Sequence, residues 1–100
     1  DKPQTFCLVG RYYWIINKQK KALKWWKKSI QVGKKLGARP DLSRTYFEVG
    51  RRLLEPQSTY TAMNGIKAQD YLGKARELFE QMNLHQDLQK LDKILEKKLD

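Results

Sequence analysis

Two stretches of this 100-residue chain repeat one spaced pattern, and that pattern restricts the fold more than any other feature. In the first stretch Phe6, Val9, Gly10 and Tyr13 are followed by Ala22 and Trp26. In the second, Tyr46, Val49, Gly50 and Leu53 are followed by Ala68 and Leu72. The order is aromatic, aliphatic, glycine, large apolar, then alanine and large apolar. A glycine inside a helix costs about 0.5–1 kcal/mol relative to alanine, so two at matching positions call for a packing reason. The pattern supplies one: Gly10 and Gly50 remove a side chain where a partner helix crosses, Ala22 and Ala68 do so from the other side, and the large residues fill the spaces around the crossings.

Breakers and caps divide the chain into five expected helices. Pro3 suits a first turn, and nothing but Gly10 interrupts from Gln4 to about Ile16, with Asn17 as a left-handed stop. A second helix is expected from about Gln19 to Leu36, closed by Gly37. Asp41 or Ser43 caps a third, which runs to about Leu54 and stops at Pro56. Residues 56–65, PQSTYTAMNG, are rich in turn formers and read as a loop. Asn64 is the expected N-cap of a fourth helix, about Ile66 to Met82, ended by Asn83. A fifth, about Gln86 to Lys98, carries Leu88, Leu91 and Leu95 on one face and charges on the other. Only six glycines and three prolines are present, which disfavours an all-β chain.

The paired signature resembles the tetratricopeptide repeat, whose units carry a tryptophan, leucine, glycine, tyrosine block followed by alanine and phenylalanine. The first pair matches in spacing. In the second, Ala68 lies eighteen residues after Gly50, where Ala22 lies twelve after Gly10, and neither pair ends with the family's proline. The segment from Ala68 to Leu95 is similar to the C-terminal end of repeat arrays in larger bacterial signalling proteins such as nucleotide cyclases and regulatory ATPases. The resemblance implies an all-α solenoid of antiparallel helix pairs: repeat one at about 3–38, repeat two at about 40–83 with an inserted loop at 56–65, and a capping helix at about 85–98. It implies a scaffold for protein–protein interaction, and a peptide groove lined by the first helix of each pair. Gln4, Cys7, Arg11 and Trp14 would line it from the first pair, and Arg44, Phe47, Arg51 and Leu54 from the second. Arg11, Trp14, Arg44, Phe47 and Arg51 are the expected contacts, suited to an acidic, partly apolar peptide or domain. The family's lysine and asparagine carboxylate clamp has no counterpart at these positions.

Charge is concentrated. The chain carries a net +10, and nine basic residues with no acid lie between Lys18 and Arg39, leaving the remainder at only +1. On the second helix Ala22, Leu23, Trp26, Ser29 and Ile30 form the expected inward stripe, while Lys20, Lys24, Lys27, Lys28, Lys34 and Lys35 cover the rest. Trp25 sits beside the stripe, partly exposed. This basic patch reads as a solvated outer face, or as a docking face for anions. In the second case single-stranded RNA or DNA is the alternative partner, bound through helix 18–36 with Trp25 as a stacking surface. A third reading, an interfacial amphipathic peptide, would require the apolar stripe to leave its packing.

Catalysis is not expected. His85 is the only histidine and Cys7 the only cysteine, so no metal-ligating cluster, no cofactor site and no convergent acid–base set can be assembled, and no glycine-rich phosphate loop is present. Cys7 reads as a small buried hydrophobe. No apolar run approaches the roughly 18 residues of a membrane span, and the N-terminus lacks the basic-then-apolar order of a secretory signal, so a cytoplasmic setting is expected. The chain starts at Asp1, which suggests a piece of a larger protein. The first helix is apolar nearly all round, from Phe6 to Ile16, so more than one side should be covered. Self-association of the isolated chain through this helix, or loss of solubility as salt is diluted, is therefore expected.

Overall fold

Three helix ends are built alike and set the course of the backbone. In the computed structural model, which describes residues 2–99, α1 (Pro3–Ile15), α2 (Gln19–Leu36) and α4 (Ala68–Gln81) each run into a residue of positive φ. These are Asn17 at 62°, Gly37 at 65° and Asn83 at 56°. At each, the next amide reaches back five residues and the left-handed residue reaches back three, as in Ala38 N–H to Gly33 O (2.9 Å) and Gly37 N–H to Lys34 O (3.2 Å). This Schellman arrangement uses carbonyls that a helix end otherwise leaves unpaired. All three stops stand where the sequence places them.

The other two helices are α3 (Arg39–Leu53) and α5 (His85–Leu99). α3 begins three residues earlier than a cap at Asp41 would put it. Pro40 occupies its first turn, and Ser43 bonds back to the Pro40 carbonyl (2.7 Å) instead of capping. The expected loop at 56–65 contains structure of its own. Asn64 (φ 56°) and Gly65 (φ 76°) form the two-residue turn of a hairpin between β1 (Ala62–Met63) and β2 (Ile66–Lys67), with Met63 opposite Ile66 and Ala62 opposite Lys67. Asn-Gly is the dipeptide that such a turn favours. Asn64 is therefore a turn residue and not a helix cap, and α4 starts at Ala68. Around the hairpin the chain is tied down by Gln19, whose amide donates to the Gln57 carbonyl (2.9 Å) and whose oxygen accepts from the Thr59 amide (2.9 Å).

The helices pack as α1 on α2 and α3 on α4, both antiparallel, with α2 against α3 and α5 against α4. Antiparallel order is fixed by contacts at both ends. Ser29 Oγ donates to Pro3 O (2.8 Å) while Trp26 crosses Gly10, and Arg39 Nη donates to Gln81 (2.6 Å) while Gly50 crosses Ala68 and Leu72. A Cβ at Gly10 would stand 2.4 Å from the Trp26 indole, and one at Gly50 would stand 2.7 Å from Leu72. The two glycines thus do the same work at equivalent crossings, as the repeated spacing predicts. Ala22, Trp26, Val49, Ala75, Phe79 and Leu91 have no exposed surface. The fold of the described residues is all-α with one short hairpin.

Candidate interaction surfaces

Between the two pairs lies a polar seam. Thr45 Oγ1 meets Ser29 Oγ (2.9 Å) and bonds to the Asp41 carbonyl (3.0 Å). One turn on, Glu48 is 2 % exposed and gathers three guanidinium groups. Its Oε1 accepts from Arg51 Nε (2.7 Å), and its Oε2 accepts from Arg11 Nε (3.0 Å) and Arg52 Nε (3.1 Å). Arg52 also reaches Glu55 (2.8 Å). Burial pushes the Glu48 carboxyl upward, but the charge and hydrogen bond of Arg51, with Arg52 and Arg11, more than offset that and hold it below the ordinary glutamate range. The Arg11–Glu48 bond is the ionic link from the first pair to the second.

This arrangement revises the expected groove. A cleft of about 470 Å³ between α1, α3 and α5 does bring Arg11, Arg44, Phe47 and Arg51 together, and α5 adds Asp87, Lys90 and Ile94. Phe47 is half-buried, with its edge against Phe79 and the Arg51 guanidinium over its ring at 6.0 Å. Trp14, by contrast, is not a groove residue. It is 4 % exposed, leans on Trp26 and donates to Glu55 Oε1 (2.7 Å), so it belongs to the core. Two of the expected arginines, Arg11 and Arg51, already serve Glu48, and Arg44 lies 3.6 Å from Asp87. Gln4 is exposed, Cys7 buried and Leu54 half-buried. The residue that sequence reasoning missed is Glu48. Arg51 and Arg52, three and four residues further along the same helix, were the available signal, but an exposed helix face carries the same spacing.

The lysines behave differently. Lys20, Lys24, Lys27, Lys28, Lys34 and Lys35 are all exposed, and none is within 4.0 Å of a carboxylate among the described residues. Every ion pair of the described residues uses an arginine. Trp25 is only half free: it stacks on Phe6 (5.8 Å, 26° between planes) with Lys28 Nζ 5.4 Å from its ring, so one face is taken. On α1, Phe6, Cys7, Gly10 and Trp14 are buried, whereas Leu8, Tyr12 and Ile15, with Ile16 just past its end, are exposed. The all-round apolar character of this helix therefore leaves a bare stripe at helical spacing.

Among the described residues no group of three or more potential ligands could hold a metal ion, and no helix is long and apolar enough to cross a membrane. His85 is the exposed first residue of α5. Burial pushes the Cys7 thiol up, away from a reactive thiolate. No family model, no curated protein and no solved structure matches this chain.

Proposed function

We propose that the chain is a protein–protein interaction module of tetratricopeptide-repeat type, acting as a scaffold within a larger, regulatory protein. One observation carries the reading: the two helix pairs interlock at equivalent crossings, Gly10 on Trp26 and Gly50 on Leu72. A unit repeated in this way buries its apolar surface by stacking on its neighbours. The bare stripe of Leu8, Tyr12, Ile15 and Ile16 supports the same reading, since it is the side on which a preceding pair would pack. In the isolated chain, two copies cover that stripe by pairing through it. Sedimentation at rising concentration is expected to give a mass above the 11.9 kDa monomer, and Tyr12→Lys with Ile15→Lys to restore the monomer. A monomer at every concentration would remove self-association through α1.

The partner in this reading is an acidic peptide with an apolar anchor, held in the cleft between α1, α3 and α5. Arg11 and Arg51 meet Glu48 through Nε, which leaves their Nη groups outside the clamp. The Arg44–Asp87 pair is long, at 3.6 Å, with Arg44 exposed and Asp87 half-buried, so a better-placed carboxylate of the peptide can displace Asp87. Phe47 and Ile94 supply apolar surface. The test is fluorescence anisotropy with a labelled peptide that alternates glutamate and leucine. Arg44→Glu with Lys90→Glu is expected to weaken binding at least tenfold, on the order of the 1–3 kcal/mol that charge-assisted contacts carry, and to leave the Glu48 clamp intact. Charge reversal at Lys24, Lys27 and Lys28 should leave it within about twofold, since each 1.4 kcal/mol is tenfold and these lysines lie outside the cleft. No binding, or binding lost only with the lysines, refutes the groove.

A further inference from the structure

Folding adds to the basic face a lysine that lies far from the basic segment in sequence. Lys74 of α4 joins Lys27 and Lys34 of α2 around a cavity of about 110 Å³, lined also by Tyr46, Tyr71 and Asn64 of the hairpin turn. No carboxylate lines it. Asp70 and Glu77 lie within a turn of Lys74 on α4, yet neither forms an ion pair with it. The Tyr71 phenol donates to Met63 O (2.7 Å), and burial pushes its pKa up to about 12, so the wall adds no negative charge. Beside this cavity Lys20, Lys24 and Lys28 continue along α2 into an open depression of about 860 Å³ that also carries Trp25.

We propose that the face made by α2, the hairpin and α4 binds the phosphate backbone of single-stranded RNA, with one phosphate seated among Lys27, Lys34 and Lys74. Lys20, Lys24, Lys27 and Lys34 follow at steps of three to seven residues. At 1.5 Å per residue they form a line about 21 Å long, a row of point charges suited to a polymer of regularly spaced phosphates. Lysine binds phosphate as a point charge, without the planar fork that arginine offers to carboxylates. The distribution of side chains also selects among anions. Arg11, Arg44, Arg51, Arg52 and Arg76 each pair with an acid of the chain itself, Arg39 bonds to Gln81, and no lysine of the described residues forms an ion pair. A lipid surface would need a continuous apolar face among the lysines, but Ala22, Leu23 and Trp26 are buried, Trp25 is half-buried, and the exposed Leu36 stands at the helix end. An acidic protein would need a central anchor, and Trp25 is already stacked on Phe6. This inference is independent of the proposed peptide cleft, which lies between α1, α3 and α5.

The experiment is anisotropy of a fluorescein-labelled 20-nucleotide oligouridylate with the whole chain at 50 and 200 mM salt. Five engaged lysines (Lys20, Lys24, Lys27, Lys34 and Lys74) imply a log–log slope of about −3.5 for a single strand, a loss of about 130-fold over that range. Lys74→Glu is expected to weaken binding and reduce the slope by about 0.7, and Lys27→Glu with Lys34→Glu to reduce it by about 1.4. All three lysines are exposed, and circular dichroism should show each variant folded. Absence of binding at 50 mM salt overturns the proposal. So does a Lys74→Glu variant that binds like the parent, because the site would then be α2 alone. Equal binding to polyglutamate or to phosphatidylserine vesicles would assign the face to acidic protein or to membrane instead of RNA.

Discussion

Replacing Glu48 with alanine is expected to destabilise the fold by about 3 kcal/mol. Removing one partner of a buried ion pair costs roughly 3–5 kcal/mol. The low end applies because Arg11 and Arg51 keep 42% and 32% of their side-chain surface in water and recover part of their solvation. Arg52, at 15%, recovers least. Glu48→Gln retains the volume and one acceptor oxygen, so its cost should fall between alanine and the parent. Urea unfolding of both variants checks the order, and a double-mutant cycle between Arg11 and Glu48 isolates the link between the pairs. The same carboxylate gives the fold an acid limit. Its folded pKa lies below its ordinary value of 4.5. Its contribution is therefore complete above the unfolded pKa and is lost as pH falls through the folded one. Stability of the parent should drop below about pH 4.5, and the part owed to Glu48 should be missing from the pH profile of Glu48→Ala. Equal acid sensitivity in both would show that Glu48 is not the group responsible.

The second large effect concerns Trp26, which has no exposed surface, donates its indole N–H to the Cys7 carbonyl (3.1 Å) and fills the space that Gly10 leaves. Trp26→Ala is expected to cost about 3–5 kcal/mol, a large share of the 5–15 kcal/mol available to a domain. Gly10→Ala alone should cost about 1–3 kcal/mol, because its Cβ overlaps a ring that has nowhere to move. In the Trp26→Ala background that methyl enters the vacated space, and the helix preference for alanine makes it favourable by about 0.5–1 kcal/mol. The sign of the Gly10→Ala effect thus inverts with its partner. Thermal melts of the four chains measure it, and additive effects would mean that Gly10 and Trp26 are not one packing unit.

How far each of these features could be read in advance depends on the range of the interaction behind it. Asn17, Gly37 and Asn83 end their helices where the sequence places them, because a left-handed residue after a helix is a property of a few neighbouring peptide units. The Gly10–Trp26 and Gly50–Leu72 crossings were also legible, since both partners carry their signature twice at fixed spacing. The hairpin at Asn64–Gly65 was local as well. Its dipeptide is a strong turn signal, but with strands of only two residues no alternating apolar pattern accompanied it.

What remained was decided by tertiary contact. The sequence by itself determined an all-α chain of five helices, two matched crossings, and a lysine-rich second helix whose apolar stripe faces inward. Only the packed structure decided which charges are spent and which are free. Glu48 stands on α3 beside Arg51 and Arg52, a spacing common to solvated helix faces. It becomes a buried clamp because α1 lays Arg11 against it. Trp14 moves from the groove to the core because Trp26 and Glu55 take its ring and its N–H. Lys74 enters the basic face because α4, packed on the α3 that lies against α2, brings it to the cavity lined by Lys27 and Lys34. Periodicity along one helix says which residues share a side. Which side meets which neighbour is set by how the helices stack, and that is where the ionic and surface chemistry of this protein is settled.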